Sequence, residues 1–376
     1  MHFRQLGGRT QRELYYELES VGGFLGACTY KEFIHFYVTA TPRYFSNLVK
    51  IAAALLGGLE ADAADCVAEK RLVLSEIRED NQKNDIDFLS DKYVWAETSL
   101  QNPVLGTISS VKAFTLPMLQ EEKERTFTKQ NVFFYVTGCF DTADLARLSE
   151  TVGLYNLGDR PDTVNQNMAP VPAGFRQRDG RVKISHRQFA MHDVQLSFDI
   201  DFAKLSRPDL LYLDCILAEG LCSLIRAEMI EKKGLVYDLS SSIEQYRNIG
   251  VYHLDFTIYK SKLYEGVRSL ISVLKRVKKD IAARDLETAR VFKTDNQMKL
   301  LDDPEALNWA FAYENHILDQ RYADIAAVAD VYRQITAERL VKTANEIFRT
   351  DNLVVVSLGN KKGLSEIGLR EIVSEL

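Results

Sequence analysis

The residues of this chain best placed for chemistry are two carboxylates, Glu69 and Glu76, seven apart in the stretch Glu69-Lys-Arg-Leu-Val-Leu-Ser-Glu76-Ile-Arg-Glu. In a helix that spacing is two turns, so both acids share one face and can ligate a metal or hold a proton. Taken alone, such a pair is most often a solvated helix face. The histidines that would complete a metal site are not beside them. The six are His2, His35, His186, His192, His253 and His316, and none lies in an H-x-x-E-H pattern. His186 and His192 fall six apart in a strand-like stretch and read as ordinary core or surface residues. The five cysteines (Cys28, Cys66, Cys139, Cys215, Cys222) are odd in number and scattered, with no C-x-x-C pair. That favours buried free thiols in a reducing compartment over a disulfide framework.

Alternating helices and strands must position these groups. Gln11 to Val21 has helical spacing and stops at Gly22-Gly23. FLGACTYKEFIHFYVTA reads as a strand, a short turn and a second strand. Helical periodicity returns at Tyr44 to Leu59 and Ala61 to Ile77, Pro103 to Thr107 is a turn, and Leu116 to Phe127 is an amphipathic helix. Asn131 to Val136 (NVFFYV) predicts a continuous apolar strand.

The second half repeats this order, with the strand pair YDLSSSIEQYRNIGVYHLDFTIYK followed by the helix LYEGVRSLISVLKRVKKDI. Phe114 to Gly138 aligns without a gap to Ile335 to Gly359. Five of the 25 positions are identical: Thr115/Thr336, Leu119/Leu340, Phe127/Phe348, Asn131/Asn352 and Gly138/Gly359. This is the pattern of an internal duplication. The stretch from Gly158 to Gly174, rich in Pro, Gly, Asn and Asp, reads as a linker. The expected fold is α/β (α+β) with two homologous tandem domains, residues 1–169 and 170–376, each a mostly antiparallel sheet covered by helices.

Composition bounds the partners. With 376 residues the chain is long enough for two cores, and 46% hydrophobic and 27% charged residues are ordinary for a globular protein. A net charge of -6 and the lack of a long basic run argue against nucleic acid or an anionic membrane as a partner. No run of 18 apolar residues exists. The start reads as no secretory signal, and the expectation is a cytoplasmic protein.

At Glu69 to Glu79 the chain resembles the insulinase/pitrilysin type of zinc metallopeptidase, the group that includes the mitochondrial processing peptidase. That family is built from duplicated α/β domains in a clam-like pair, with H-x-x-E-H on one helix and a glutamate about 75 residues later on another. The resemblance puts Glu76 on the zinc-ligand position and Glu69 on an auxiliary carboxylate. In the family the histidine motif runs into M-L-F-K-G-T-x-x-R-T-A-R-x-I. Here Met1 to Leu14 (MHFRQLGGRTQREL) follows that segment in register, with Met1, Phe3, Arg9, Thr10 and Arg12 on matching positions. The resemblance therefore places the missing histidines immediately before Met1. It implies zinc in a form that carries them and none, with no peptide hydrolysis, in the chain as given.

Peptide substrate, by the same resemblance, adds as a strand beside Gly26-Ala27-Cys28-Thr29, where relatives commonly carry asparagine at the first position. In the second domain the family pattern L-R-E-K-x-G-L-x-Y supplies an arginine and a tyrosine to the substrate. This chain reads Met229-Ile230-Glu231-Lys232-Lys233-Gly234-Leu235-Val236-Tyr237, which keeps Tyr237 but puts isoleucine at the arginine position. Arg226 lies one turn earlier. Three readings follow: a peptidase given without its metal-binding helix, a non-catalytic scaffold or partner subunit, or a duplicated α/β binding module with no peptidase ancestry. In the first two the first sheet is expected to lack part of its cover, and a homo-oligomer or hetero-partner is expected to supply it.

Overall fold

The computed structural model describes residues 1–80, 85–159, 168–320 and 322–376. The chain divides into two units. Unit 1 comprises Met1–Asn81, Pro103–Gln166 and Pro304–Ala310; unit 2 comprises Gln82–Asn102, Asn167–Asp303 and Phe311–Leu376. The halves are thus not contiguous: relative to the expected 1–169 and 170–376, one short segment of each half belongs to the other unit. Residues 160–167 of the predicted linker lie outside the described residues.

Unit 1 begins with a two-stranded antiparallel ribbon, β1 (Gln5–Leu6) and β2 (Arg9–Thr10). Gly7 and Gly8 turn between them with φ of 61° and 73°, the left-handed conformation a tight hairpin needs and glycine supplies without steric cost. Both glycine N–H groups donate to the Glu60 carboxylate, at 3.0 and 2.8 Å. Thr10 then caps the helix Gln11–Ser20 in a reciprocal box with Glu13. A second antiparallel ribbon follows, β3 (Phe24–Thr29) on β4 (Ile34–Thr39). Helices span Phe45–Ala54, Ala63–Asp80, Leu116–Thr126 and Thr142–Gly153. The core is small: Leu6, Leu14, Leu18, Ile51, Ala54 and Leu55.

Asn131 to Val136 does not form the predicted strand. An apolar run becomes a strand only against a ladder partner, and among the described residues unit 1 pairs only β1 with β2 and β3 with β4. The segment is tied down from elsewhere: Tyr135 O accepts from Asn308 Nδ2 at 2.9 Å, and Thr137 Oγ1 donates to Pro304 O at 2.8 Å. Trp309, from the same stretch as Asn308, stacks on Tyr30 at 5.3 Å.

Unit 2 is built on one five-stranded sheet. Its strands are β5 (Arg181–His186), β6 (Met191–Asp201), β7 (Val236–Gln245), β8 (Ile249–Tyr259) and β9 (Leu353–Gly359). Their order is β5-β9-β6-β8-β7, parallel between β5 and β9 and antiparallel elsewhere. Along β6 the residues alternate. Val194, Leu196, Phe198 and Ile200 belong to the main core, which also holds Leu270 and Leu274 of the helix Leu263–Val277 and Leu340 of the helix Ala337–Ile347. Gln195, Ser197 and Asp199 take the other face, and they are buried as well. The helix Ile86–Val94 covers that face: Ser90 Oγ lies 3.2 Å from Ser197 Oγ.

Candidate metal and substrate site

Glu69 and Glu76 both lie on the helix Ala63–Asp80, as their spacing required. Their surroundings differ. Glu69 is half-buried and ion-paired, with Arg4 Nε 2.7 Å from its Oε1. Arg4 comes from the segment just before β1, so the hairpin at Gly7-Gly8 and its anchor on Glu60 fix the guanidinium over the helix. Glu76 is exposed. Among the described residues no cluster of three or more histidine, cysteine, aspartate or glutamate side chains is gathered as a metal site. The residues present do not fit zinc by themselves: one acid is already neutralised by an arginine, and the other is a single exposed oxygen donor where zinc takes four ligands.

The histidines have other tasks. His2 stacks on Phe127 at 5.4 Å and meets Phe36 edge-on at 5.1 Å. Burial, with the charge of Lys123 adding to it, holds its ring down to about 4, so it is neutral at ordinary pH. His192 is buried between Ser357 Oγ (2.8 Å) and Asn360 O (3.2 Å), and His253 Nδ1 lies 2.9 Å from Ser197 Oγ.

The predicted substrate strand is β3. It pairs with β4 along one edge and with no other strand among the described residues, so alternate N–H and C=O groups from Gly26 to Thr29 line a free edge. Gly26 has a local cause. It stands opposite Tyr37, whose ring lies so close that a Cβ on residue 26 would come within 2.4 Å of it. A larger residue here requires the Tyr37 ring to swing aside. Cys28 and Thr29 are exposed on the same strand. Cys28 stands opposite His35, and burial lowers the basicity of that imidazole.

In unit 2, Tyr237 is 96% exposed at the start of β7, just beyond Gly234 in a left-handed turn with φ of 57°. Ile230, at the position where the family pattern carries arginine, packs against the main core. Arg226 is 4.0 Å from Glu231 in an exposed ion pair. The chain is helical through Leu224–Arg226 and widens to a π-turn over Ala227–Lys232, which shifts the register of everything after Arg226.

Sequence reasoning missed a polar group on the covered face of unit 2's sheet: Gln195, Ser197, His253 and Asp255, with Asp87 and Ser90 from the helix above. The alternation in VQLSFD and HLDFT marked that face as polar, but nothing local foretold a helix from another part of the chain upon it. Arg178 was missed too. It is buried and bidentate on Asp199 (2.7 and 3.0 Å) while donating to Tyr93 O and Val94 O at 3.1 and 2.6 Å.

Residues 113–291 match the family described as the peptidase M16 inactive domain. An uncharacterised zinc protease of Rickettsia bellii is 22% identical over 359 residues, 93% of this chain and 83% of the relative. A probable mitochondrial-processing peptidase subunit beta of Arabidopsis thaliana is 24% identical over 184 residues, 48% of this chain and 34% of its own length. The fold is similar to that of a peptidase M16 inactive domain from Pseudomonas fluorescens, with a TM-score of 0.79 at 15% identity over 96% of this chain and 86% of that one. The resemblance first read from Glu69 to Glu79 thus extends over nearly the whole chain, which is similar in sequence to these zinc proteases and in fold to the M16 peptidase structures.

Proposed function

We propose that this chain is the peptide-binding body of an M16-type peptidase, and that hydrolysis requires an H-x-x-E-H which these 376 residues do not contain. The observation that carries the reading is the free edge of β3, an exposed strand able to accept an extended peptide by main-chain hydrogen bonds. In this reading Tyr237 keeps the family's substrate-binding role, Glu76 is the remaining zinc ligand of a completed form, and Glu69 is its auxiliary carboxylate once Arg4 yields it. A reducing, cytoplasmic setting belongs to the same proposal, on the strength of five free cysteines.

A labelled extended peptide titrated in fluorescence anisotropy tests the binding. Successive N–H groups of a strand point to opposite edges, so of Ala27→Pro and Cys28→Pro one removes an outward donor and the other breaks the pairing with β4. The reading expects saturable binding, abolished by the outward-facing variant while circular dichroism is unchanged. No binding by the unmodified chain sinks it. For hydrolysis, the nucleotide sequence in frame before Met1 decides: an H-x-x-E-H directly upstream supports the reading, and a stop codon there contradicts it.

A second reading is favoured by Ile230, which fills the arginine position with a core side chain. It makes the chain a non-catalytic subunit that works with a partner, as the word subunit in one relative's name suggests. It expects that zinc does not stabilise even the longest natural form; a clear rise in melting temperature with added zinc counts against it. Both readings expect oligomers, because Phe24, Ile34 and Phe133 leave apolar surface exposed. Light scattering that shows a clean monomer at high concentration argues against both on this point.

A further inference from the structure

On the polar face of unit 2's sheet, one amide holds two acids from different elements. Gln195 of β6, only 1% exposed, donates from Nε2 to Asp255 Oδ1 of β8 at 2.7 Å and to Asp87 Oδ1 of the helix Ile86–Val94 at 2.6 Å. An amide nitrogen has two hydrogens, so both are spent on these carboxylates. Among the described residues neither acid is ion-paired with a lysine or arginine.

The other groups facing the pair are neutral or already matched. Along β8 lie His253, bonded to Ser197 Oγ, and Thr257, which donates to Asp193. Asp193 of β6 is itself paired with Arg187 at 2.9 Å. Opposite Asp255 β7 presents Ser240, and opposite Gln195 β9 presents Val356. From the helix come Ser90, on Ser197, and Lys92, whose ammonium lies over the Phe88 ring at 4.1 Å. Burial, with the Asp87 charge adding to it, pushes the Asp255 carboxyl up to about 7.

The opposite end of the same helix is held by a different set of contacts. Arg178 caps the carbonyls of Tyr93 and Val94 from its ion pair with Asp199, and the Trp95 indole N–H donates to Glu244 at 2.8 Å.

We propose that the first turns of the helix Ile86–Val94 form a strap whose docking on the sheet depends on pH: closed while Asp87 and Asp255 carry one negative charge between them, loosened when both are ionised, with Arg178 holding the far end. The docked state binds the extra proton, so docking is tightest in acid, weakens as pH rises from the ordinary carboxylate range towards neutrality, and changes no further above it.

Hydrogen exchange of the backbone amides of residues 89–92, corrected for intrinsic rates and followed from pH 4.5 to 8, tests this. The unmodified chain is expected to lose protection by up to about tenfold per pH unit over the lower part of that range, the limit for one proton. Asp255→Asn is expected to abolish the slope. Asp87→Asn, at an exposed position that puts folding at no risk, is expected to make it smaller. Amides of β6 and β8 report global opening and are expected to stay far better protected than residues 89–92 at every pH. A flat profile in the unmodified chain, an unchanged slope in Asp255→Asn, or protection of residues 89–92 equal to that of β6 and β8 overturns the proposal.

Discussion

The segments Phe114–Gly138 and Ile335–Gly359 use the same local code and meet different fates. Thr115 and Thr336 both cap the helix that follows. Phe127 and Phe348 both close it, with φ and ψ of -87° and 78° in one and -84° and 75° in the other. Asn131 Nδ2 donates to Thr126 O at 2.7 Å, and Asn352 Nδ2 to Ile347 O at 2.9 Å, five residues back in each case. Beyond that point they part. Leu353 to Val356 become the buried strand β9 between β5 and β6, while the matching apolar run in unit 1 pairs with no strand among the described residues. Phe348 and Asn352 are fully buried; Phe127 is half-buried and Asn131 exposed. Caps and turns are local chemistry and survive in both copies. A sheet position is not local, and it exists only where neighbouring strands are present to make it.

The sharpest way to break this comparison is to remove the same aromatic ring from both places. Phe348→Ala empties a site in a closed core and is expected to cost about 3–5 kcal/mol, whereas Phe127→Ala, already partly hydrated, is expected to cost about 1 kcal/mol. Urea denaturation with a probe in each unit checks it; equal costs would mean that unit 1 has a core as complete as unit 2's.

Acid is the next lever. His2 in unit 1 is held down to about 4 against an ordinary value near 6.5, chiefly by burial. The folded unit therefore resists protonation. Its stability is fully present above about pH 6.5 and falls as pH drops from there to about 4, by roughly 1–2 kcal/mol after allowance for partial exposure. Asp255 in unit 2 is shifted the other way, so the docked helix loosens as pH rises. Opposite slopes in pH-dependent unfolding of the two units are expected, and His2→Phe should flatten that of unit 1 alone.

The smallest effect is the one where the units should agree. Thr115→Ala and Thr336→Ala each remove an N-cap and are expected to cost about 1 kcal/mol in either unit. A large difference between them would show that even the local code is read differently in the two places.

Much of the fold was legible in the sequence for the same reason. The glycine stop at Gly22, the β3–β4 pair, the helix that carries Glu69 and Glu76, and the repeated capping residues all depend on neighbours in the chain. The failures came where a distant segment decides. NVFFYV has every mark of a strand, yet a ladder needs a partner. Gln82–Asn102 belongs to unit 2 although the chain on either side belongs to unit 1, because Trp95, Asp87 and Ser90 find their partners on β6 and β7. At the candidate site, the placement of Glu69 and Glu76 on one helix could be read from spacing, but Arg4 on Glu69 and the Tyr37 ring over Gly26 could not.

Hydrogen exchange compared at matched amides, residues 134 and 136 against 355 and 357, tests the central claim most directly. The account predicts that β9 exchanges only through global opening while the unit 1 segment exchanges at least about a thousandfold faster. Equal protection at the two sets would contradict it.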